Sequence, residues 1–126
     1  MKVFINNTVT QLINNELYNY YIFDSNNPLI ISDNIKNNKF YTYIIINMNK
    51  SYINLFIINN NNNILNYEKP IILKYSGIHI YYILIFEQQS FINFIINKRI
   101  NFNLDNFINK FNLLLIDKFI FKIIHI

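Results

Sequence analysis

The absence of alanine is the feature that most constrains what this chain can fold into. The sequence has 126 residues, of which 52% are hydrophobic, yet it holds no alanine, no tryptophan and one glycine, with Ile, Asn, Phe and Tyr in their place. Alanine is the strongest helix former, whereas Ile, Phe and Tyr suit pleated strands. We therefore expect a strand-rich fold with few, short helices, and the length fits one main domain.

The same composition limits the chemistry that is available. Such a residue set is what very AT-rich codons supply, which indicates an organelle, an endosymbiont, a virus or an AT-rich parasite. The chain has no cysteine, so disulfides and thiolate metal sites are excluded. His79 and His125 are far apart, and we predict neither a metal site nor a cofactor. The net charge of +4 is carried almost entirely by lysine, since Arg99 is the only arginine.

Two absences in the sequence bear on location. The first seven residues are neither arginine-rich nor followed by a long apolar run, so no targeting segment is expected, which suits a protein made inside the organelle that uses it. No stretch of 18 apolar residues occurs, because the nearest case, 78–96, is interrupted by 87–90. A membrane span is therefore not expected.

The chain divides at about residue 38. Residues 1–38 mix asparagine with apolar residues and turn signals, and we expect an organelle-specific extension with a short helix at 9–18, packed on a neighbour or on the main domain. In residues 39–126, a buried strand is predicted at 40–48, and a helix after the N-cap residue Ser51, over 52–60. The asparagine run at 59–63 is interpreted as a low-complexity loop without chemistry.

A long antiparallel hairpin is the central prediction. Residues 71–86 are rich in β formers, 87–90 have turn composition, and 91–103 alternate between apolar and polar residues. A helix beginning near Leu104, a turn at 117–118 and a final strand over 119–126 follow. The order from residue 40 is strand, helix, strand, strand, helix, strand, which predicts an α+β, ferredoxin-like split βαβ domain with a protruding hairpin.

Three short segments resemble the small-subunit ribosomal protein S-ten family, in its bacterial-type and organellar forms. The Pro-Ile-Ile-Leu segment at 70–73 lies where that family enters its long hairpin, and Ile-Asn-Lys-Arg-Ile at 96–100 lies on its returning strand. Leu-Leu-Ile at 114–116 resembles the segment after the family's helix. The resemblance covers roughly residues 40–126; the extension has no counterpart in the family, and the predicted hairpin tip is several residues shorter.

The resemblance implies a structural subunit in the head of an organellar small ribosomal subunit, bound to rRNA and neighbouring head proteins. The extreme composition favours the mitochondrion over the plastid as the organelle. Phosphates would be held by basic side chains, chiefly the Lys98–Arg99 pair, with further contacts from the entering strand. The alternative for each of these residues is a solvated basic face. The candidate RNA-binding residues are Lys98, Arg99, Lys69, Lys74 and His79. The candidate protein contacts at the hairpin tip are Tyr82, Phe86, Glu87, Gln88, Gln89, Ser90 and Phe91.

Catalysis has little support in the sequence. The seven acidic residues are scattered over predicted turns and caps, and a single glycine cannot build a phosphate-binding loop. We therefore expect a protein that is not an enzyme. The alternatives are an organelle-encoded accessory subunit of a respiratory-chain or ATP-synthase complex, or a viral or parasite interaction module. Replacing Lys98 and Arg99 together is expected to weaken assembly and to leave the fold intact.

Overall fold

The computed structural model describes all 126 residues, Met1–Ile126. The strands are β1 (Lys2–Ile5), β2 (Thr10–Gln11), β3 (Leu17–Asn19), β4 (Leu29–Ile31), β5 (Tyr41–Asn47), β6 (Tyr52–Ile58), β7 (Asn62–Leu65), β8 (Ile78–Glu87) and β9 (Leu114–Ile124). A 3-10 turn spans Tyr20–Ile22, and the single α-helix, α1, spans Leu104–Phe111. No helix has the length and apolar character needed to cross a membrane.

The strands form two sheets, and the predicted split βαβ fold is wrong. A six-stranded sheet has the order β3-β9-β8-β5-β6-β7, and a three-stranded sheet has the order β2-β1-β4. Strands account for 40% of the residues and helix for 9%. The decisive error is at 52–60, which forms strand β6 instead of a helix. Most residues of β6 are buried, so apolar and polar residues do not alternate along it as they do in a half-exposed strand. The remaining apolar pattern also fits the spacing of a helix.

The predicted hairpin is also absent. Strand β8 pairs with β5 on one side and with β9 on the other, so it lies inside the sheet. Residues 91–103 form no regular element, although their apolar residues alternate. The turn composition at 87–90 marks the point where the chain leaves the sheet. From there the segment crosses one face of the sheet, so Ile92, Phe94 and Phe102 pack inward without a strand partner.

Two hydrophobic clusters cover the two faces of the six-stranded sheet. On β5, Ile45 belongs to one cluster, whereas Ile44 and Ile46 belong to the other. The first face is covered by the three-stranded sheet, and the second by residues 91–103 and α1. Central strands that are buried on both faces read as continuous apolar runs, as the sequence of 78–86 does. Phe107 of α1 lies at the centre of the second cluster, with ring centroids 4.9–5.8 Å from four other phenylalanines, Phe56, Phe94, Phe102 and Phe111.

Residues 1–38 pack on the main domain, one of the two expected arrangements. Val3, Ile5, Leu12 and Phe23 belong to the first core cluster. Strand β3 pairs in parallel with β9 and so forms one edge of the six-stranded sheet. The segment therefore shares its core with residues 39–126, and the helix predicted at 9–18 is replaced by β2 and the beginning of β3.

Asparagine replaces glycine at the chain reversals. Ten residues other than glycine have positive φ, and seven of them are asparagines. Asn59 and Asn60, with φ of 52° and 71°, make the reversal between β6 and β7. Asparagine tolerates the left-handed region better than other residues with a side chain. The asparagine run thus forms a tight turn followed by strand β7.

Candidate functional site

A polar cluster of three buried side chains lies where β5 ends and β8 begins. The register places Asn47 opposite Tyr81, and Asn47 Nδ2 donates to Tyr81 Oη at 3.2 Å and approaches His79 Nδ1 at 3.4 Å. Ser76 Oγ donates to the Leu73 carbonyl and lies 2.9 Å from His79 Nε2. The Ser76 hydroxyl has a single proton and donates it to Leu73, so it cannot also donate to His79. Nε2 of His79 therefore carries the ring proton and donates to Ser76 Oγ, and Nδ1 accepts from Asn47.

This arrangement keeps the imidazole neutral. Burial, reinforced by the charge of Lys50, lowers the pKa of His79. The ring is 4% exposed and both of its nitrogens have partners within the chain. The structure therefore places this predicted RNA-binding residue in the interior, where it supports the wall of a cleft instead of facing an external ligand.

The cleft beside this cluster has a volume of about 220 Å³. Strands β5, β6 and β8, the turn between β5 and β6, and the segment 66–71 supply its walls, so residues distant in sequence converge on it. Both a cation, Lys50, and a carboxylate, Glu68, line the cleft. The full lining is Asn47, Lys50, Tyr52, Asn54, Glu68, Ile71 and Tyr81.

Arg99 closes one side of this region and is held by four groups of the chain itself. Its Nε lies 3.2 Å from Glu68 Oε2, and its two Nη atoms donate to the carbonyls of Ile53, Asn54 and Asn66 at 2.7–3.3 Å. Tyr52 Oη donates to the other oxygen of the same carboxylate. Burial and this hydrogen bond raise the pKa of Tyr52. The arginine is thus a clip between β6, 66–68 and 99–102, and its fork is not free to take a phosphate.

One buried acceptor in the cleft has no partner. Asn54 is 2% exposed, and its Nδ2 donates to the Glu68 carbonyl, but its Oδ1 makes no hydrogen bond. Leaving a buried polar atom unsatisfied costs about 1–3 kcal/mol. The Asn54 side chain therefore offsets part of the stability that burial of strand β6 provides.

The other predicted RNA-binding residues, Lys69, Lys74 and Lys98, do not line the cleft. Lys69 is half-buried and follows Glu68, whereas Lys98 is exposed and precedes Arg99. Lys74 is exposed, and its Nζ lies 5.3 Å from the ring centroid of Tyr75. The hairpin that was expected to carry these residues does not form, and RNA binding by them stays a prediction.

The residues predicted for the hairpin tip have mixed positions. Gln88 is buried: its Oε1 accepts from Thr42 Oγ1 and the Asn59 amide, and its Nε2 donates to Asn59 Oδ1 and the Ser90 carbonyl, all at 2.8–3.0 Å. Phe86 is buried as well. Tyr82 is half-buried, and Lys118 Nζ lies 4.3 Å from the centroid of its ring. These three side chains have roles inside the fold.

The remaining tip residues reach the surface. Glu87 forms an ion pair with Lys39, with 3.1 Å between Oε1 and Nζ. Phe91 packs edge-on against Phe40, with ring centroids 5.8 Å apart, and is 57% exposed. Gln89 and Ser90 are exposed. Contact of these four residues with a neighbouring protein stays a prediction.

Sequence reasoning missed Asn47, Asn54 and Asn59, each of which is buried. Two of them stand inside apolar strands, at the end of 41–47 and in the middle of 52–58. A polar amide in such a strand is itself a signal, since burying it requires hydrogen-bond partners. The third was hidden in the asparagine run, where its neighbours Asn60–Asn63 are exposed.

Comparison with known proteins identifies the fold alone. No protein-family model matches the sequence, and no curated protein matches it. Among solved structures, the chain is similar to one in the crystal structure of carboxypeptidase Y inhibitor complexed with the cognate proteinase. The TM-score is 0.73 at 13% sequence identity, over 99% of this chain and 82% of that chain. This β-rich neighbour agrees with the observed sheets and not with a split βαβ fold.

Proposed function

We propose that this protein is a non-enzymatic subunit of a mitochondrial ribosome, where it binds RNA and neighbouring proteins. The observation that carries the proposal is the state of its basic side chains. Of eleven lysines and arginines, only Lys39 and Arg99 lie within 4.0 Å of a carboxylate. The other lysines keep their charge free, and free cations are what a phosphate backbone binds.

The region around the cleft is the best candidate for the RNA contact. Lys50 lines the cleft, and Lys69 and Lys98 are direct neighbours of the Glu68–Arg99 pair. Since Arg99 already neutralises Glu68, an approaching phosphate meets an excess of positive charge there. His79 and Arg99 support this surface from within and do not contact RNA in this proposal.

Internal bonding of the polar side chains supports a role without catalysis. The imidazole of His79 is neutral and bonded at both nitrogens, and the Ser76 hydroxyl next to it is already engaged. A nucleophile or a general base needs a free lone pair directed at a substrate. The imidazole offers none, whereas binding by exposed lysines needs no such group.

Placement in the head of the small subunit, as a member of the S-ten family, stays a prediction. It was inferred from an order of elements that the fold does not have, so it now depends on the short sequence segments alone. Sedimentation of organellar extracts tests it directly. The protein is expected in ribosomal fractions, with the small subunit after dissociation. Recovery with detergent-solubilised membrane complexes instead would favour the alternative, an accessory subunit of a respiratory-chain or ATP-synthase complex.

RNA binding is tested on the purified chain. Replacing Lys50, Lys69 and Lys98 by Ala is expected to weaken binding to a structured RNA. The slope of log K against the logarithm of the salt concentration should become shallower by about 2, because each phosphate contact contributes roughly 0.7–0.9 to it.

The matched control replaces Lys2, Lys36 and Lys110, three exposed lysines elsewhere, with the same change in net charge. Equal weakening by both triple variants would show that binding follows net charge, and would refute the assignment of RNA binding to the cleft region.

A further inference from the structure

One end of the six-stranded sheet carries a group of protruding apolar side chains. Ile71, Leu73 and Tyr75 are 65–75% exposed, Tyr21 is 67% exposed and Ile78 is 48% exposed. We call these five residues the apolar tip. Leu73, Tyr75 and Tyr21 project from the surface, and Ile71 stands between them and the cleft described above. The tip therefore has the shape of a group that inserts into a partner.

The chain holds the apolar tip in this position through His125. The ring is stacked on Tyr20 with centroids 4.3 Å apart, its Nδ1 donates to the Ile72 carbonyl at 2.7 Å, and its Nε2 accepts from Tyr21 Oη at 3.0 Å. The His125 carbonyl accepts from the Tyr75 amide at 2.6 Å. The 3-10 turn, the 71–76 loop and the end of β9 are therefore tied together.

Two features of the 71–76 loop turn its apolar residues outward. Ile72 is buried, so in this extended stretch its neighbours Ile71 and Leu73 face solvent. The turn that follows is closed by Ser76, whose amide and hydroxyl both bond the Leu73 carbonyl, and it holds Tyr75 at a φ of 63°. A left-handed conformation is strained for a tyrosine, and strained residues concentrate at functional sites.

The charge around the apolar tip identifies the partner. The segments that build it, 17–23, 69–86 and 118–126, contain lysines and histidines but no aspartate or glutamate. The carboxylate that borders the tip, Glu68 in the cleft beside Ile71, is paired with Arg99. Lys74 stands between the two most exposed residues of the tip, next to the ring of Tyr75. Aliphatic and tyrosine side chains beside lysines, with the bordering carboxylate neutralised by Arg99, match a surface with an apolar interior and anionic head groups.

We propose that the apolar tip inserts into the surface of an anionic lipid bilayer. Leu73 and Ile71 enter the acyl boundary, Tyr75 and Tyr21 lie at head-group level, and Lys74 contacts the phosphates. RNA is a weaker match for this surface, because three of the five side chains are aliphatic and cannot stack on bases. The proposal does not depend on the ribosomal one, since the tip lies outside the lysine set assigned to RNA.

Flotation of the full chain with lipid vesicles tests the proposal. We expect binding to vesicles of phosphatidylcholine with phosphatidylglycerol, and little binding to phosphatidylcholine alone. Leu73→Asp is expected to lower the partition coefficient about tenfold or more, and Lys74→Ala about fivefold. Leu114→Asp, at the opposite end of the sheet and 56% exposed in the native chain, is the matched control and is expected to leave binding unchanged.

Insertion has its own readout because the chain has no tryptophan. In a Tyr75→Trp variant, the single indole is expected to shift its emission to the blue with anionic vesicles and to be quenched by brominated acyl chains. No flotation of the native chain, equal losses in both Asp variants, or unchanged emission would each overturn the proposal. Loss of oligo(U) binding in Leu73→Asp, without vesicle binding by the native chain, would assign the tip to RNA instead.

Discussion

Arg99 offers the sharpest test of the structure, because its position contradicts what the sequence suggested. The sequence predicts an RNA-binding arginine whose loss leaves the fold intact. In the structure the guanidinium bonds three backbone carbonyls and one carboxylate, and so joins β6 to two loops. Replacing Arg99 by Ala is therefore expected to destabilise the isolated chain, whereas replacing Lys98, which is exposed, is not.

The size of the effect follows from the exposure of the groups. The Arg99 and Glu68 side chains are 21% and 32% exposed, so their ion pair contributes no more than about 1 kcal/mol. The three charge-assisted bonds to carbonyls contribute more, roughly 1.5 kcal/mol or above each before water replaces part of the loss. We expect Arg99→Ala to lower the free energy of unfolding by about 3 kcal/mol.

Urea unfolding measures this difference. With an m-value of about 2 kcal/mol/M, the midpoint is expected to fall by about 1.5 M in Arg99→Ala and to stay within about 0.25 M of the native value in Lys98→Ala. Arg99→Lys should lie between them, because one ammonium cannot reach all four acceptors. Equal midpoints for the two alanine variants would show that the clip does not stabilise the fold.

Three further predictions concern stability. Gln88→Ala leaves the buried Thr42 hydroxyl and the Asn59 amide without an acceptor, and should lower the free energy of unfolding in urea by about 3 kcal/mol. A loss below about 1 kcal/mol would show that this network does not stabilise the fold. Phe107→Ala should lower stability by about 3–5 kcal/mol in calorimetry, and a native-like melting temperature would contradict the aromatic core. Folding lowers the pKa of His79 below its value of 6.5 in the unfolded chain. As the pH falls below 6.5, the unfolded chain binds a proton at His79 that the folded chain does not bind, so the free energy of unfolding decreases. His79→Gln should flatten the decline in unfolding free energy between about pH 7 and 5, whereas a slope equal to that of the native chain would show that other groups cause it.

The central strands and the helix could be predicted because their signals are local. The strands at 41–47 and 78–87 and the helix at 104–111 follow from runs of β formers and from helical spacing. The helix also begins as predicted, since the Asn103 side chain accepts from the Asn106 amide. In these segments, propensity and burial favour the same structure.

The errors occur where tertiary context decides. Residues 52–58 are buried on both faces, so helical and strand spacing cannot be distinguished. Residues 91–103 alternate like a strand, but β5 and β9 already occupy both sides of β8 and leave no backbone partner. RNA binding by Lys69, Lys74 and Lys98 stays a prediction, and Lys50 was not among the residues selected from the sequence. The buried roles of Arg99, His79 and Gln88 depend on neighbours distant in sequence, which a single sequence does not reveal.

The positive-φ asparagines have a consequence for how this protein tolerates mutation. Each left-handed residue other than glycine carries a conformational cost of about 1 kcal/mol, and the chain contains ten of them. Domains retain only about 5–15 kcal/mol of net stability, so this load must be offset by its isoleucine- and phenylalanine-rich interior. Such a chain has little reserve, and a methyl group lost from its centre will threaten folding sooner than in a relative whose bends are glycines. The shortage of glycine in the loops thereby makes substitutions in the interior more costly, although the two regions do not touch.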